Sequence, residues 1–348
     1  MAPVRVFSGI QPSGGLHLGN YLGAVRQWLR PPLLLSGAAE GGARRIFSVV
    51  DLHALTQVRG PASQGLLRQR TLEMTASLLA CGLQQGRGGA GGDVVLFAQS
   101  SVREHTELAW LLACQTPLGK LQRMTQFKQK TGAARDASSL GLLSYPVLQA
   151  ADILLYRSTH VPVGEDQVQH LELARDIAEV ANAAWGGAVF PVPATLTLPL
   201  GARVMSLRDG RVKMSKSDPD DASRINMEDG NDAIAAKVRG AKTDSTLGFA
   251  PLDPAARPEK ANLVGILAAL TGRGAEEVAQ QYAGATAVAF KEDLVEALVH
   301  TVAPIRGRLG ELRGDWAAVE AVLREGAHAA SAMAADTMKE VRGRAGLW

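Results

Sequence analysis

Two short stretches carry residue types suited to work on phosphates. The first is FSGIQPSGGLHLGNYLGA, Phe7 to Ala24. A strand pattern runs into a Gly-rich turn and opens a helix. That geometry leaves orphan backbone N–H groups and the positive end of a helix dipole facing a ligand crevice, where phosphates bind readily. Gly9, Gly14 and Gly15 allow close backbone approach, His17 can donate to a phosphate oxygen, and Asn20 follows one turn later. The stretch has no terminal Gly-Lys-Ser/Thr, so it is not a P-loop, and it lacks the spacing of a dinucleotide fingerprint. The second stretch is KMSKS, Lys213 to Ser217, followed by Asp218 and Pro219. Two lysines three positions apart, among small hydroxyl residues, can neutralise charge as a pyrophosphate leaves. The preceding Asp209-Gly210 turn lets this loop move. Alone, the first stretch could be a tight turn with an incidental His and the second a solvated loop. In this order, in one chain, they point to nucleotide chemistry.

Asp152 is a third candidate. It lies inside VLQAADILLY, a run otherwise almost wholly apolar. A buried, unpaired carboxylate is costly, so this one needs a donor, from a ligand or from a structural ion pair or helix cap.

Elements with parallel-sheet character must position these residues. Val4 to Ser8, Arg45 to Asp51 and Asp93 to Ala98 read as strands, the latter two nearly continuous apolar runs suited to burial on both faces. A late strand is expected at Arg203 to Leu207. Helical patterns cover Leu66 to Cys81, Arg103 to Cys114 and Asp166 to Ala183. The alternation predicts an α/β fold with a doubly wound parallel sheet. Ser36 to Gly42 and Gly86 to Gly92 read as loops. After about residue 218 strand signals vanish. Asn231 is expected to cap a helix ending near Arg239, and 259–271, 275–284, 288–304 and 314–345 carry helical periodicity. The expected division is a catalytic domain over 1–217 and a smaller all-helical domain over 218–348, its last helix packing back on the first.

Composition excludes some classes. Hydrophobic residues make up 46% of the 348 and charged residues 20%, ordinary for a globular protein. No run approaches the roughly 18 apolar residues of a membrane helix, so no membrane partner is expected. The net charge of +3 permits a nucleic-acid partner without demanding one. Cys81 and Cys114 lack neighbours at metal-ligand spacing and read as reduced core thiols. No metal site is expected. MAPVRVFSGI has no signal-peptide or import character. A cytoplasmic location is expected, or a mitochondrial matrix or plastid stroma if a presequence precedes this chain.

PSGGLHLGN and KMSKS together resemble the two signatures of class I aminoacyl-tRNA synthetases. The first ends in Asn20 where the usual form has His, a variant familiar in the tryptophanyl branch. FSGIQPSG, MTQFKQK (Met124 to Lys130), GLLSYPVLQAADILLY (Gly141 to Tyr156) and VPVGEDQVQHLELARD (Val161 to Asp176) resemble that branch in its bacterial and organellar form. The resemblance covers nearly the whole chain and is weakest in the two Gly-rich loops and the far C-terminal region. It implies a Rossmann-like catalytic domain, L-tryptophan, ATP and tRNA(Trp) as partners, Mg2+ carried on the ATP phosphates, and a homodimer.

The resemblance also implies roles. His17, Asn20, Lys213 and Lys216 are the catalytic residues at the phosphate end. ATP would further meet Gln11, Pro12, Ser13, Gly19, Lys130, Gly164, Glu165, Asp166, Met214, Ser215 and Ser217, with Val204 touching adenine through its backbone. Asp152 would accept the indole N–H. Phe7, Gly9, Tyr145, Val161 and Val163 would wall the indole, and Gln167 would face the ammonium. Gln149 stands where some bacterial relatives have Met, and could hydrogen-bond the ligand or a neighbour. Lys237, Arg239 and Lys242 are expected contacts of the helical domain with the tRNA anticodon. A tyrosyl enzyme, a small nucleotidyltransferase and a catalytically dead RNA-binding paralogue are the competing readings. The tryptophan-like GLLSYPVLQAADILLY segment, KMSKS and the intact His17, Asp152, Lys213 and Lys216 argue against them.

Overall fold

Three strands near the N-terminus form because their apolar residues serve two faces at once. These are β1 (Arg5–Ile10), β2 (Arg44–Val49) and β3 (Val94–Ala98). In β3, Val94 and Leu96 enter one core while Val95 and Phe97 enter the other. That alternation is what a strand covered by helices on both sides requires. The computed structural model describes residues 3–29, 43–56, 61–86, 93–131, 139–164, 167–197 and 203–348. The expected loop Ser36–Gly42 lies outside them. So does the loop at 86–92 apart from Gly86, which forms an antiparallel bridge with Val94.

After β1 the chain turns through a broken helix: α1 (Leu18–Asn20), a π turn at Tyr21–Val25, and α2 (Arg26–Leu29). β2 leads into α3 (Asp51–Ala54) and the long α4 (Pro61–Ala80). β3 leads into a 3-10 turn at Gln99–Ser101, then α5 (Glu104–Ala113), α6 (Leu118–Gln122), α7 (Thr125–Thr131) and α8 (Leu140–Leu154). β4 (His160–Val163), α9 (Val168–Ala184) and β5 (Ala194–Thr197) follow. The five strands are parallel in the order β3-β2-β1-β4-β5. Helices on both faces make this the doubly wound, Rossmann-like arrangement expected from the alternation.

The fifth strand is not where the sequence placed it. ATLT at 194–197 pairs with β4, whereas Arg203–Leu207 contributes only an isolated bridge, Met205 with Lys213. Pro191 and Pro193 read as loop residues and hide the short β-branched run behind them.

The remaining helices are α10 (Asn231–Arg239), α11 (Pro258–Thr271), α12 (Ala275–Gln281), α13 (Ala287–Arg313) and α14 (Trp316–Arg344). Gly230, not Asn231, is the N-cap of α10, because the Asn231 side chain instead accepts from Arg306 at 3.1 Å. α13 runs past Pro304, where the pattern predicted an end, with Ile305 and Leu309 buried on the far side. Burial of that face offsets the lost backbone bond. Apolar residues of α10–α13 share one core with Leu16, Leu18 and Met214, so packing is continuous across residue 217. Cys81 is buried as expected, but Cys114 is exposed, because it caps α5 at the surface; both are free. Among the described residues, no helix is long and apolar enough to cross a membrane.

β3 is an edge strand, and the last helix covers it. A Cβ on Gly326 would lie 1.8 Å from the Leu96 carbonyl oxygen, so α14 and the strand touch backbone to backbone. The Leu96 N–H is taken by Gln85 at 2.7 Å. Such cover removes an edge that would otherwise pair with other chains. Gly326→Ala is expected to force the helix off the sheet. The expected loss is about 2–3 kcal/mol, the upper part of the usual overpacking range, read as a lower urea midpoint; an unchanged midpoint would contradict this packing.

Candidate active site

The crevice opens where β1 and β4 part. They are in register only at Val6↔His160, and two residues later Pro162 has no N–H to give. In an open α/β sheet this switch point, at the carboxyl ends of the strands, is where ligands bind. A cavity of about 530 Å³ lies there. Of the residues expected at a site, Phe7, Gly9, Gln11, Ser13, Asn20, Tyr145, Gln149, Asp152, Val161, Gly164, Gln167 and Lys216 line it. Pro12, His17, Gly19, Val204, Lys213, Met214, Ser215 and Ser217 do not. Glu165 and Asp166 lie outside the described residues, as do the side chains of Lys130 and Val163.

The polar end is built on the turn after β1. Gly14 has φ 102°, a left-handed conformation that suits glycine. His17 caps α1. Its Nδ1 accepts from the Asn20 N–H, and the Asn20 side-chain oxygen accepts from the His17 N–H, both at 3.3 Å. This reciprocal box gives Asn at the fourth motif position a physical reason. With Nδ1 accepting, a neutral His17 carries its proton on Nε2. It is neutral near pH 7: burial, then Lys216, Arg224 and Lys213, lower its pKa to about 4. Gly19 leaves room for this ring, since a Cβ there would lie 2.9 Å from His17 Cε1.

The lysine loop is docked on the same turn. Lys216 Nζ donates to the Gly14 carbonyl at 2.9 Å. Met214 is buried in the core and its N–H donates to the Val204 carbonyl, which anchors the loop at its middle. Val204 is itself a core side chain. Lys213 is exposed and outside the cavity. The Lys216 pKa is lowered to about 8, chiefly by burial; Glu228 opposes this and Arg224 adds to it. Arg224 donates to the Asp218 carbonyl at 2.9 Å and to Asp221 at 2.8 Å, fastening the far side of the loop.

The apolar end surrounds Asp152, which is 1% exposed. Its Oδ1 accepts from Gln99 Nε2 at 2.7 Å and from His105 Nδ1 at 2.6 Å, and its Oδ2 faces His53 Nε2 at 2.8 Å. A carboxylate has about four acceptor positions. Three are filled, and Asp152 also lines the cavity, so Oδ2 keeps one for a ligand donor. Burial alone would raise this pKa; the partners His105 and His53 outweigh burial and lower it. Asp152 is therefore an ionised acceptor that can take one N–H or O–H. Around it Phe7 and Val161 are buried walls. The Tyr145 hydroxyl meets Gln126 and His170, each at 2.8 Å, and Gln149 donates to Gln167 at 3.4 Å.

Sequence reasoning missed His53, Gln99 and His105. The demand of Asp152 for donors was legible, but its partners come from α3, the 3-10 turn after β3 and α5, far away in the chain. The expected basic contacts of the helical segment also change. Lys237 is largely enclosed, at 2.7 Å from both Asp221 and Asp229, so it is a structural ion pair that tethers α10. Arg239 is exposed, and Lys242 pairs with Glu259 at 2.9 Å at the surface. Among the described residues no cluster of three or more His, Cys, Asp or Glu could hold a metal ion.

Comparisons with known proteins agree with this geometry. The family "tRNA synthetases class I (W and Y)" matches residues 1–303. A tryptophan–tRNA ligase of Caulobacter vibrioides is 49% identical over 348 residues, covering 99% of this chain and 96% of that one. The crystal structure of a tryptophanyl-tRNA synthetase from Mycoplasma pneumoniae superposes with a TM-score of 0.77 at 31% identity, covering 99% and 98%. That of the Campylobacter jejuni synthetase, complexed with ADP and tryptophan, superposes with a TM-score of 0.75 at 32% identity, covering 99% and 100%.

Proposed function

Because the chain belongs to the class I tRNA synthetases of the tryptophan and tyrosine family, we propose that it activates L-tryptophan with ATP and loads it onto tRNA(Trp). The single observation that carries the substrate is Asp152: an ionised acceptor with one open position at the apolar end of the cavity. Indole offers one N–H and nothing else polar. A site that hydrogen-bonds a substrate N–H rejects analogues without it strongly.

In the proposed reaction a tryptophan carboxylate oxygen forms a bond to the α-phosphorus of ATP. The α–β bridging bond breaks and its electrons leave with pyrophosphate. A ribose hydroxyl at the tRNA 3′ end then attacks the activated carbonyl, and AMP leaves. The protein's part is positioning and charge stabilisation. Tyr145 and Gln167 both line the cavity; in this reading Tyr145 walls the indole and Gln167 faces the ammonium. His17 donates through Nε2, the docked turn offers backbone N–H groups, and Lys216 releases the Gly14 carbonyl to meet the leaving phosphates. Lys213 joins when the loop closes on ATP. Mg2+ carried on the ATP phosphates would neutralise part of their charge, and no dedicated protein ligand is assigned to it.

Residues 1–217 serve the chemistry in this reading, and 218–348 serve the tRNA, with Arg239 and Lys242 in the footprint and Lys237 excluded. Unchanged aminoacylation by the Arg239→Gln, Lys242→Gln double variant would remove those two. A homodimer is supported by Trp110, Leu118 and Leu140, exposed on α5, α6 and α8. Trp110→Glu is expected to halve the mass seen by sedimentation. The bacterial relatives support a cytoplasmic location, which recovery of the protein with membranes on fractionation would contradict. The reading as a whole is tested by capture of tryptophanyl-adenylate: protein, ATP and tryptophan without tRNA should yield it by mass spectrometry, and tyrosine should not.

A pH dependence follows from Lys216. Its charged form binds phosphate, and with a pKa near 8 it loses that charge as pH rises. The kcat/KM for ATP is expected to fall about tenfold per pH unit above that point, the slope of a single deprotonation. Lys216→Arg keeps its charge and should remove the limb. A flat profile to pH 9.5 in the unaltered protein would contradict the assignment.

A further inference from the structure

Asp152 is not held by the site alone. Behind it runs a fully buried chain of polar groups that ends away from the cavity. His105 is 0% exposed, and its two ring nitrogens face Asp152 Oδ1 at 2.6 Å and the Tyr156 hydroxyl at 2.7 Å. Tyr156 is also 0% exposed. Its ring stacks on Phe7 at 5.9 Å and meets Phe97 edge-on at 5.6 Å. The rings of His105 and Phe97 are 5.8 Å apart. Neither His105 nor Tyr156 lines the cavity. Two polar side chains have thus been placed in an aromatic cage, where each must be satisfied by the other and by Asp152.

The proton positions follow from the partners. An ionised Asp152 only accepts, so the nitrogen facing it carries a hydrogen. A neutral imidazole then has a bare Nε2, and the nearest group able to donate to it is the Tyr156 hydroxyl. The direction is Tyr156 O–H to His105 Nε2, then His105 Nδ1–H to Asp152 Oδ1. Burial, then the Asp152 charge, push the Tyr156 pKa well above 10, so its proton stays in place. His53 and Gln99 complete the set on the carboxylate. With Oδ1 filled from the buried side, only Oδ2 is presented to the cavity.

We propose that Tyr156 and His105 are positioning residues for substrate selection, the Tyr156 hydroxyl holding His105 with its Nδ1–H on Asp152 Oδ1 so that Asp152 keeps one acceptor position on Oδ2 turned to the substrate. This rests on the reading of Asp152 as the acceptor of the indole N–H. Without the tyrosine hydroxyl, nothing holds the tautomer. The imidazole can then turn a bare Nδ1 toward the carboxylate, which changes what Asp152 offers the ligand.

The readout is a discrimination ratio: kcat/KM in pyrophosphate exchange for tryptophan over that for 3-benzothienylalanine, the isostere with sulfur in place of N–H. The unaltered protein should prefer tryptophan by about 10,000-fold, as sites built for a substrate N–H do. Tyr156→Phe removes one oxygen and should lower that ratio about tenfold, His105→Leu about a hundredfold, in line with other residues that orient a ligating side chain. His105→Asn returns an N–H donor near the Nδ1 position and should restore most of the loss. Nitrogen-15 spectra of labelled histidine should show His105 protonated at Nδ1 and bare at Nε2, and Tyr156→Phe should abolish that pattern. A folded Tyr156→Phe protein with the ratio and the histidine pattern unchanged would overturn the proposal, as would equal losses for both substrates, the mark of plain packing. If the unaltered protein itself shows no preference for tryptophan, the reading of Asp152 fails instead.

Discussion

Replacing Lys216 with alanine is expected to slow tryptophan-dependent pyrophosphate exchange by about 100- to 1,000-fold, the usual effect of losing one preorganised donor to developing charge. Lys216 is the one lysine of the KMSKS loop that lines the cavity, and its ammonium already sits 2.9 Å from the Gly14 carbonyl. It is therefore positioned before ATP arrives. Its work comes as negative charge moves to the leaving pyrophosphate, so kcat should carry most of the loss and KM for tryptophan should not change. Lys213 is exposed, and its alanine variant should lose less in the docked state. Single-turnover formation of adenylate separates the two. Equal and small losses for both lysines would contradict the placement of the loop.

The second large effect is expected at Asp152. Asp152→Ala removes the acceptor for the substrate N–H and also strands three buried donors, on His53, Gln99 and His105. Each unsatisfied group costs about 1–3 kcal/mol. The kcat/KM for tryptophan should fall by at least about 10,000-fold, the discrimination such a hydrogen bond supports, and the protein should also lose stability. KM for ATP should be nearly unchanged, because the phosphate end is built on a different turn. Asp152→Asn keeps the shape but turns an N–H₂ toward groups that are already donors, so it should be almost as inactive. An Asp152→Asn protein with near-normal use of tryptophan would remove Asp152 from the substrate site.

Parts of this site were legible in the sequence for definite reasons. β2 and β3 are buried on both faces, so their apolar runs have few alternatives. The Gly-rich turn and KMSKS carry their chemistry in consecutive residues, and the structure puts Lys216 on the carbonyl of Gly14. Other parts depend on contacts between distant segments. His53 and His105 sit in helices whose local pattern gives no hint that they face a carboxylate. Tyr156 reads as one more apolar residue in ILLY. Lys237 read as a tRNA contact because its two aspartates are eight and sixteen positions away and become neighbours only when α10 folds back. The strand at 194–197 was missed because two prolines precede it, and Asn231 was misread as a cap because Arg306, on another helix, takes its side chain. Apart from that strand, whose misleading prolines are adjacent to it, the deciding partner is outside any local window.

The most direct test of the account is tryptophan-dependent ATP–pyrophosphate exchange by the purified full chain, with tyrosine and phenylalanine as controls. The account predicts exchange with tryptophan alone. Exchange with tyrosine would keep the fold and the phosphate chemistry but contradict the reading of the apolar end. No exchange with any of the three, in a folded protein, would contradict the assignment of this crevice as a working activation site.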